Sequence, residues 1–159
     1  RLKLKQDPTV YARVELSALE FAKESKLAPA ASVDAVLTFR NVHNWLRGDR
    51  HQRVFAQAYA ALKPGGIFGV VEHRAKPKTS LEQMIRSGYV TEALVIESAQ
   101  QAGFKLLGRS EINANAKDST QHPSGVWTLP PSLRLGAQDR EKYLQIGESD
   151  RMTLKFVKP

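Results

Sequence analysis

The chain has 159 residues, 42% of them hydrophobic, no cysteine, and a formal net charge of +8. That length supports one domain with a real core rather than two, and the missing cysteines exclude disulfides and thiolate metal sites without choosing a compartment. The positive charge favours anionic partners, but Lys3, Lys5, residues 47–53 and 74–78, Lys155 and Lys158 are scattered among acids without interleaved aromatics, which describes a solvated basic surface rather than a nucleic-acid groove. Apolar runs such as residues 67–71 are far too short to span a bilayer, and no signal peptide is visible. The first residue is Arg1 rather than Met. The cytoplasm is therefore the expected compartment, with the periplasm the alternative if a signal peptide has been removed.

Residues 1–8 are charged and aperiodic, whereas residues 11–16 alternate and are rich in β-formers, which predicts a short strand. Residues 19–27 suggest one or two helical turns ending before Pro29. Residues 33–39 form a near-continuous apolar run of strand length, the pattern of a buried parallel strand. After a polar loop, Asp49 and Gln52 have capping-box spacing, and Val54, Phe55, Ala58 and Leu62 line one face of the following helix. Gly65 falls at the expected C′ position, and residues 67–72 read as the next buried strand. Together these segments form a βαβ unit, and ligands of open α/β sheets sit at the carboxyl ends of the strands.

Residues 76–79 are a loop, and Ser80 with Gln83 gives a second capping box before a short helix ending near Gly88. Residues 91–102 predict another helix, presenting Leu94, Val95, Ser98, Ala99 and Ala102 and closed by Gly103. Residues 104–112 and 152–157 read as strands. Between them lie about forty residues with Pro123, Trp127, Pro130 and Pro131, a length that in compact domains is often functional. No internal repeat or low-complexity tract appears.

The turn Ala61-Leu62-Lys63-Pro64-Gly65-Gly66 resembles the LKPGG turn between the fourth and fifth strands of class I S-adenosylmethionine-dependent methyltransferases, and Asp34 to Phe39 is similar to the strand before it. Arg40-Asn41-Val42 resembles the RNV tripeptide of the ubiquinone and menaquinone C-methyltransferases. RSEINAN at 109–115, GVWTLPPSLR at 125–134 and GESDRMTLKFVKP at 147–159 resemble an uncharacterised bacterial group of predicted methyltransferases, so the likeness runs from about residue 10 to the end. It implies an α/β fold: part of a Rossmann-like class I methyltransferase sheet, mostly parallel with an antiparallel last strand, in one domain over residues 1–159. It also implies S-adenosylmethionine as the cofactor. The family's glycine-rich cofactor loop has no counterpart here, because Gly65-Gly66 follows a helix rather than a strand. The expectation is therefore the C-terminal two-thirds of a methyltransferase domain, with the family's central first strand missing and an apolar sheet edge exposed. A swapped homo-oligomer would repair that edge.

Arg40, Asn41, His43, Asn44 and Trp45 crowd the end of the first predicted strand of the βαβ unit, beside which the resemblance places donor and acceptor. The donor is cationic, so carbonyls, amides and aromatic faces suit it better than cations. Arg40, Asn41 and Asn44 are the expected cofactor contacts, and His43 the candidate general base. The alternative is that Asn41 and Asn44 cap the turn, Trp45 packs and His43 is a surface histidine. Glu72, His73 and Arg74 end the next strand and are placed to meet the acceptor, unless Glu72 and Arg74 form a structural ion pair. His43, His73 and Glu72 match a known coordination class, but without local ligand spacing no metal is expected. Arg74, Tyr89, Asn113, Asn115, Trp127 and Arg134 are candidate acceptor contacts or lid residues, with pinning of the loop to the core the competing role for Trp127 and Leu129. His51 and His122 are expected at the surface. An acid near the adenine is implied by the resemblance at Glu15 or Glu20, although SALEF stands where relatives have Gly-Asp.

The expected activity is methyl transfer to a small organic acceptor, with no nucleic-acid or membrane partner. The rival is a non-catalytic Rossmann-like module that has lost cofactor binding. A nucleic-acid methyltransferase would need an acceptor motif such as NPPY, and Phe39-Arg40-Asn41-Val42 is not one.

Overall fold

A computed structural model describes residues 7–21 and 26–159. Four strands form one sheet: β1 (Val33–Phe39), β2 (Leu62–His73), β3 (Lys105–Ser110) and β4 (Arg151–Val157), in the order β1-β2-β4-β3. β1 and β2 are parallel, and β4 runs antiparallel between β2 and β3. This is the expected mixed α/β sheet with a reversed last strand. The helices are α1 (Pro8–Tyr11), α2 (Val42–Trp45), α3 (Arg50–Ala61), α4 (Leu81–Ser87), α5 (Glu92–Gln101) and α6 (Arg140–Ile146), with 3₁₀ turns at Arg47–Asp49 and Gly125–Thr128.

The core follows from period-2 alternation along β2. Phe68, Val70 and Glu72 point to the buried face, where Phe68 packs edge-on to Phe55 of α3 and against Phe104 and Phe156. Each of these fully buried rings contributes roughly 1.5–3 kcal/mol of apolar transfer. The predicted face of α3 is buried as expected, with Val54, Phe55 and Ala58 in the same cluster as Leu62. α4 begins with the Ser80–Gln83 capping box and ends at left-handed Gly88, and Thr91 caps α5.

Several expectations need correction. Residues 11–16 form no strand: Tyr11 ends a short helix capped by Asp7 with Pro8 at its first position, and residues 12–16 are exposed and irregular. Residues 1–6 and 22–25, including part of the turns expected over 19–27, lie outside the described residues. β1 has the predicted span, but it is an edge strand among the described residues rather than a buried one. With one hydrogen-bonded neighbour, it leaves Leu37 60% and Phe39 58% exposed. The loop after it contains α2. Asp49 precedes α3 in the left-handed region (φ 53°) and makes no side-chain cap, so that capping box does not form. α3 stops at Ala61 and β2 begins at Leu62, which leaves Gly65 (φ 78°) in the strand's entry turn, donating its N–H to the Lys158 carbonyl.

The long 111–150 connection is folded back over the carboxyl ends of β1 and β2. Gly125 (φ 57°) holds it there, since a Cβ at that position would lie 2.1 Å from the Ser87 carbonyl oxygen. Only glycine allows this approach. Asp118 is the connection's buried anchor, accepting hydrogen bonds from the Tyr89 hydroxyl, the His122 ring and the backbone N–H groups of Thr120 and Asp150.

Candidate active site

Alternation continues to the end of β2 and carries Glu72, fully buried, onto the core face where α2 crosses the sheet rim. A buried carboxylate needs donors, and α2 supplies them. Glu72 Oε2 accepts the backbone N–H of His43 at 3.2 Å, one of the orphan donors of a helix start. Oε1 lies 3.0 Å from His43 Nδ1 and accepts the His73 N–H at 2.8 Å. A carboxylate offers only lone pairs, so Nδ1 is the nitrogen of His43 that carries the proton. Nε2 keeps its lone pair. This is the orienting pattern of a carboxylate behind a histidine base.

His73 leaves the strand beside His43, with ring centroids 5.3 Å apart. Its Nδ1 is 2.5 Å from the Ser149 hydroxyl, and its ring is buried. Burial pushes the His73 pKa down to about 4 against the attraction of Glu72, and His43, Arg40 and Arg151 add to the depression. His73 is therefore neutral at neutral pH. Trp127 meets the His43 ring edge-on at 5.9 Å, with the Arg134 guanidinium stacked on its indole at 4.7 Å. His43, His73 and Trp127 line a cleft of about 290 Å³ together with Phe39, Arg40, Val126, Pro130, Pro131 and Ser132.

The structure thus brings His43, Glu72, His73, Arg40 and Trp127 together, with Arg134 behind Trp127. Arg40 lies at the end of β1 in the left-handed region (φ 56°), held by its N–H on the Val71 carbonyl, and its guanidinium is 3.8 Å from Glu148. Asn41 and Asn44 are exposed beside it, Asn44 donating to the Asn41 amide oxygen at 3.3 Å. Asn113 lines a second cleft adjoining the first and donates to Thr153 at 2.8 Å.

Other candidates have structural partners. Arg74 takes no part in a pair with Glu72. It is held by Asp150 and Glu111, which keep its guanidinium firmly protonated. Tyr89 is 1% exposed with its hydroxyl on Asp118, so it braces the overlying connection rather than facing the cleft. Asn115 is tied to the carbonyls of Ile146 and Glu148. His51 and His122 are not at the surface. His51 is buried in α3 with its pKa lowered by that burial, and His122 is held by Asp118. Glu15 is exposed.

Ser149, Arg151 and Pro130 to Ser132 are missing from the sequence-based site. The signal for the first two was present in GESDR: a reversed last strand beside β2 must begin at the rim where β2 ends, and His73 is registered against Arg151. As to metals, one ligand atom from each of His43, Glu72 and His73 lies within 4.8 Å of the others. The carboxylate already accepts from three N–H groups, however, which suits a hydrogen-bonded support for the histidines.

No protein-family model and no curated protein matches the chain. Solved structures do. The [4+2]-cyclase SpnF superposes with a TM-score of 0.64 at 20% identity, over 99% of this chain and 60% of SpnF. A protein from Galdieria sulphuraria proposed to be a sarcosine dimethylglycine methyltransferase gives 0.63 at 13% identity, over 99% of this chain and 63% of that one. The mitomycin 7-O-methyltransferase MmcR gives 0.56 at 12% identity, over 99% and 38%. The chain spans less than two thirds of the length of each. Identities this low speak for a common fold and leave chemistry to the site itself.

Proposed function

We propose that this chain, whose fold is that of the class I S-adenosylmethionine-dependent methyltransferases, takes part in methyl transfer from S-adenosylmethionine to a small organic acceptor. The observation that carries the reading is His43, held through Nδ1 by buried Glu72 at the strand rim of a cleft. S-adenosylmethionine, when bound, supplies an electrophilic methyl group on a sulfonium. The exposed amides of Asn41 and Asn44 fit a cationic donor by their chemistry. The Arg40 guanidinium fits it least, and it lies 3.8 Å from Glu148 instead.

His43 Nε2 would receive the proton that the acceptor's hydroxyl or amine loses on methylation. Glu72 keeps the imidazole in the required tautomer and stabilises the imidazolium that results. His73 lies beside it without competing for charge, because its own protonation is suppressed. Trp127, Pro130 and Pro131 give the cleft apolar walls beside His43.

The test is methyl transfer from labelled S-adenosylmethionine by the wild type and His43→Ala, together with calorimetric titration of S-adenosylhomocysteine. A 10²–10⁴-fold loss of turnover with intact product binding is expected, the usual contribution of a positioned base. Unchanged turnover removes His43 as the base. A second reading, a non-catalytic binding module, is favoured by the unpaired edge of β1 among the described residues, and absence of S-adenosylhomocysteine binding would support it.

A further inference from the structure

The charges around the cleft are unbalanced. Among the described residues no carboxylate lines the first cleft, since Glu72 is buried behind His43. The adjoining cleft, about 320 Å³, shares Phe39 and Arg40 with it and is completed by Val71, Asn113, Glu148 and Arg151. Glu148 is its one acid among the described residues, and it serves two guanidinium groups, being bonded to Arg151 Nη1 and 3.8 Å from Arg40 Nη1. One positive charge therefore stays uncompensated. The Nε–H of Arg151 is buried with no hydrogen-bond partner among the described residues, and a buried donor left unpaired costs about 1–3 kcal/mol. Arg40 and Arg151 also add to the lowering of the His73 pKa, which burial dominates. Arg40 also holds a left-handed backbone conformation, which costs a non-glycine residue roughly 1–2 kcal/mol and sets its side chain where both clefts meet.

The remaining walls are flat and apolar: Phe39, Trp127, Pro130 and Pro131, with Trp127 held in place by Arg134. We propose that the acceptor is a small aromatic carboxylate, its carboxylate taken by Arg40 and Arg151 and its ring lying against Trp127 and the two prolines. The assignment deepens the methyl-transfer reading. A guanidinium suits a carboxylate through charge-assisted hydrogen bonds, and a ring hydroxyl would be offered to His43, which lines the same cleft as Arg40.

The experiment is a titration of the chain, without any methyl donor, with 4-hydroxybenzoate and with its neutral methyl ester, on the wild type, Arg40→Gln and Trp127→Ala. The acid is expected to bind at least tenfold more tightly than the ester. Arg40→Gln should remove that preference while leaving ester binding in place, and Trp127→Ala should weaken both. Equal binding of acid and ester, binding of neither, or an unchanged acid preference in Arg40→Gln overturns the proposal. Because no methyl donor is present, acid-selective binding by a protein inactive with S-adenosylmethionine would end the methyl-transfer reading and leave an aromatic-carboxylate binding site standing. Methyl transfer to neutral acceptors without carboxylate preference would do the reverse.

Discussion

His73 gives the sharpest quantitative prediction. Its imidazole is buried beside His43, Arg40 and Arg151, and its pKa falls from 6.5 to about 4 on folding. The sign follows from proton counting: between these values the unfolded chain binds a proton that the folded one refuses, so stability falls as pH falls. The contribution is complete above about pH 6.5. From the two pKa values, the loss reaches about 2 kcal/mol at pH 5 and about 3 kcal/mol at pH 4, where the folded state begins to take the proton and the slope flattens. The perturbation is His73→Asn, whose amide can still reach the Ser149 hydroxyl. Urea unfolding of both proteins at pH 7, 5 and 4 isolates the term, because His51 and the paired acids Glu111 and Asp150 titrate in both and cancel in the difference. The wild type should lose about 2 kcal/mol more than the variant between pH 7 and pH 5. Parallel pH profiles would refute the argument that burial and neighbouring cations keep this ring neutral.

Three further outcomes are expected. Asp118→Ala leaves the Tyr89 hydroxyl, the His122 ring and two backbone N–H groups without their acceptor and should lower unfolding stability by about 3–5 kcal/mol, as breaking a buried charged network does; a loss below 1 kcal/mol in urea would show that water replaces it. Gly125→Ala places a Cβ on the Ser87 carbonyl at positive φ, so it should displace Trp127 from His43 and weaken binding in the cleft, read by tryptophan fluorescence titration, whereas unaltered binding would mean the connection seats itself elsewhere. Chelation with EDTA should leave turnover unchanged, since the Glu72 lone pairs are already engaged by three N–H donors; activity lost to EDTA and restored by Zn²⁺ would make His43, Glu72 and His73 ligands instead.

Some local features were decided by the sequence itself, although the equally local Asp49–Gln52 capping box did not form. The Ser80–Gln83 capping box, the apolar face of α3 and the spans of β1 and β4 depend on periodicity and on side chains within a few residues of the backbone they satisfy, so they form as read. The polar clusters at 40–44 and 72–74 were also legible, because polar residues directly after a buried strand mark its rim. Pairings between distant segments were settled only by tertiary structure. Arg74 resembles a partner for Glu72 in sequence, two residues on and so on the same face of an ideal strand, but β2 ends at His73 and Arg74 leaves the ladder. Glu72 turns inward to His43, twenty-nine residues away, while Arg74 meets Asp150 and Glu111. Tyr89, His51 and His122 read as surface or lid groups until the chain folds over them, since burial belongs to the packing of whole elements and not to any local pattern. Likewise the unequal sharing of Glu148 between Arg40 and Arg151 exists only because the reversed β4 begins beside the end of β2.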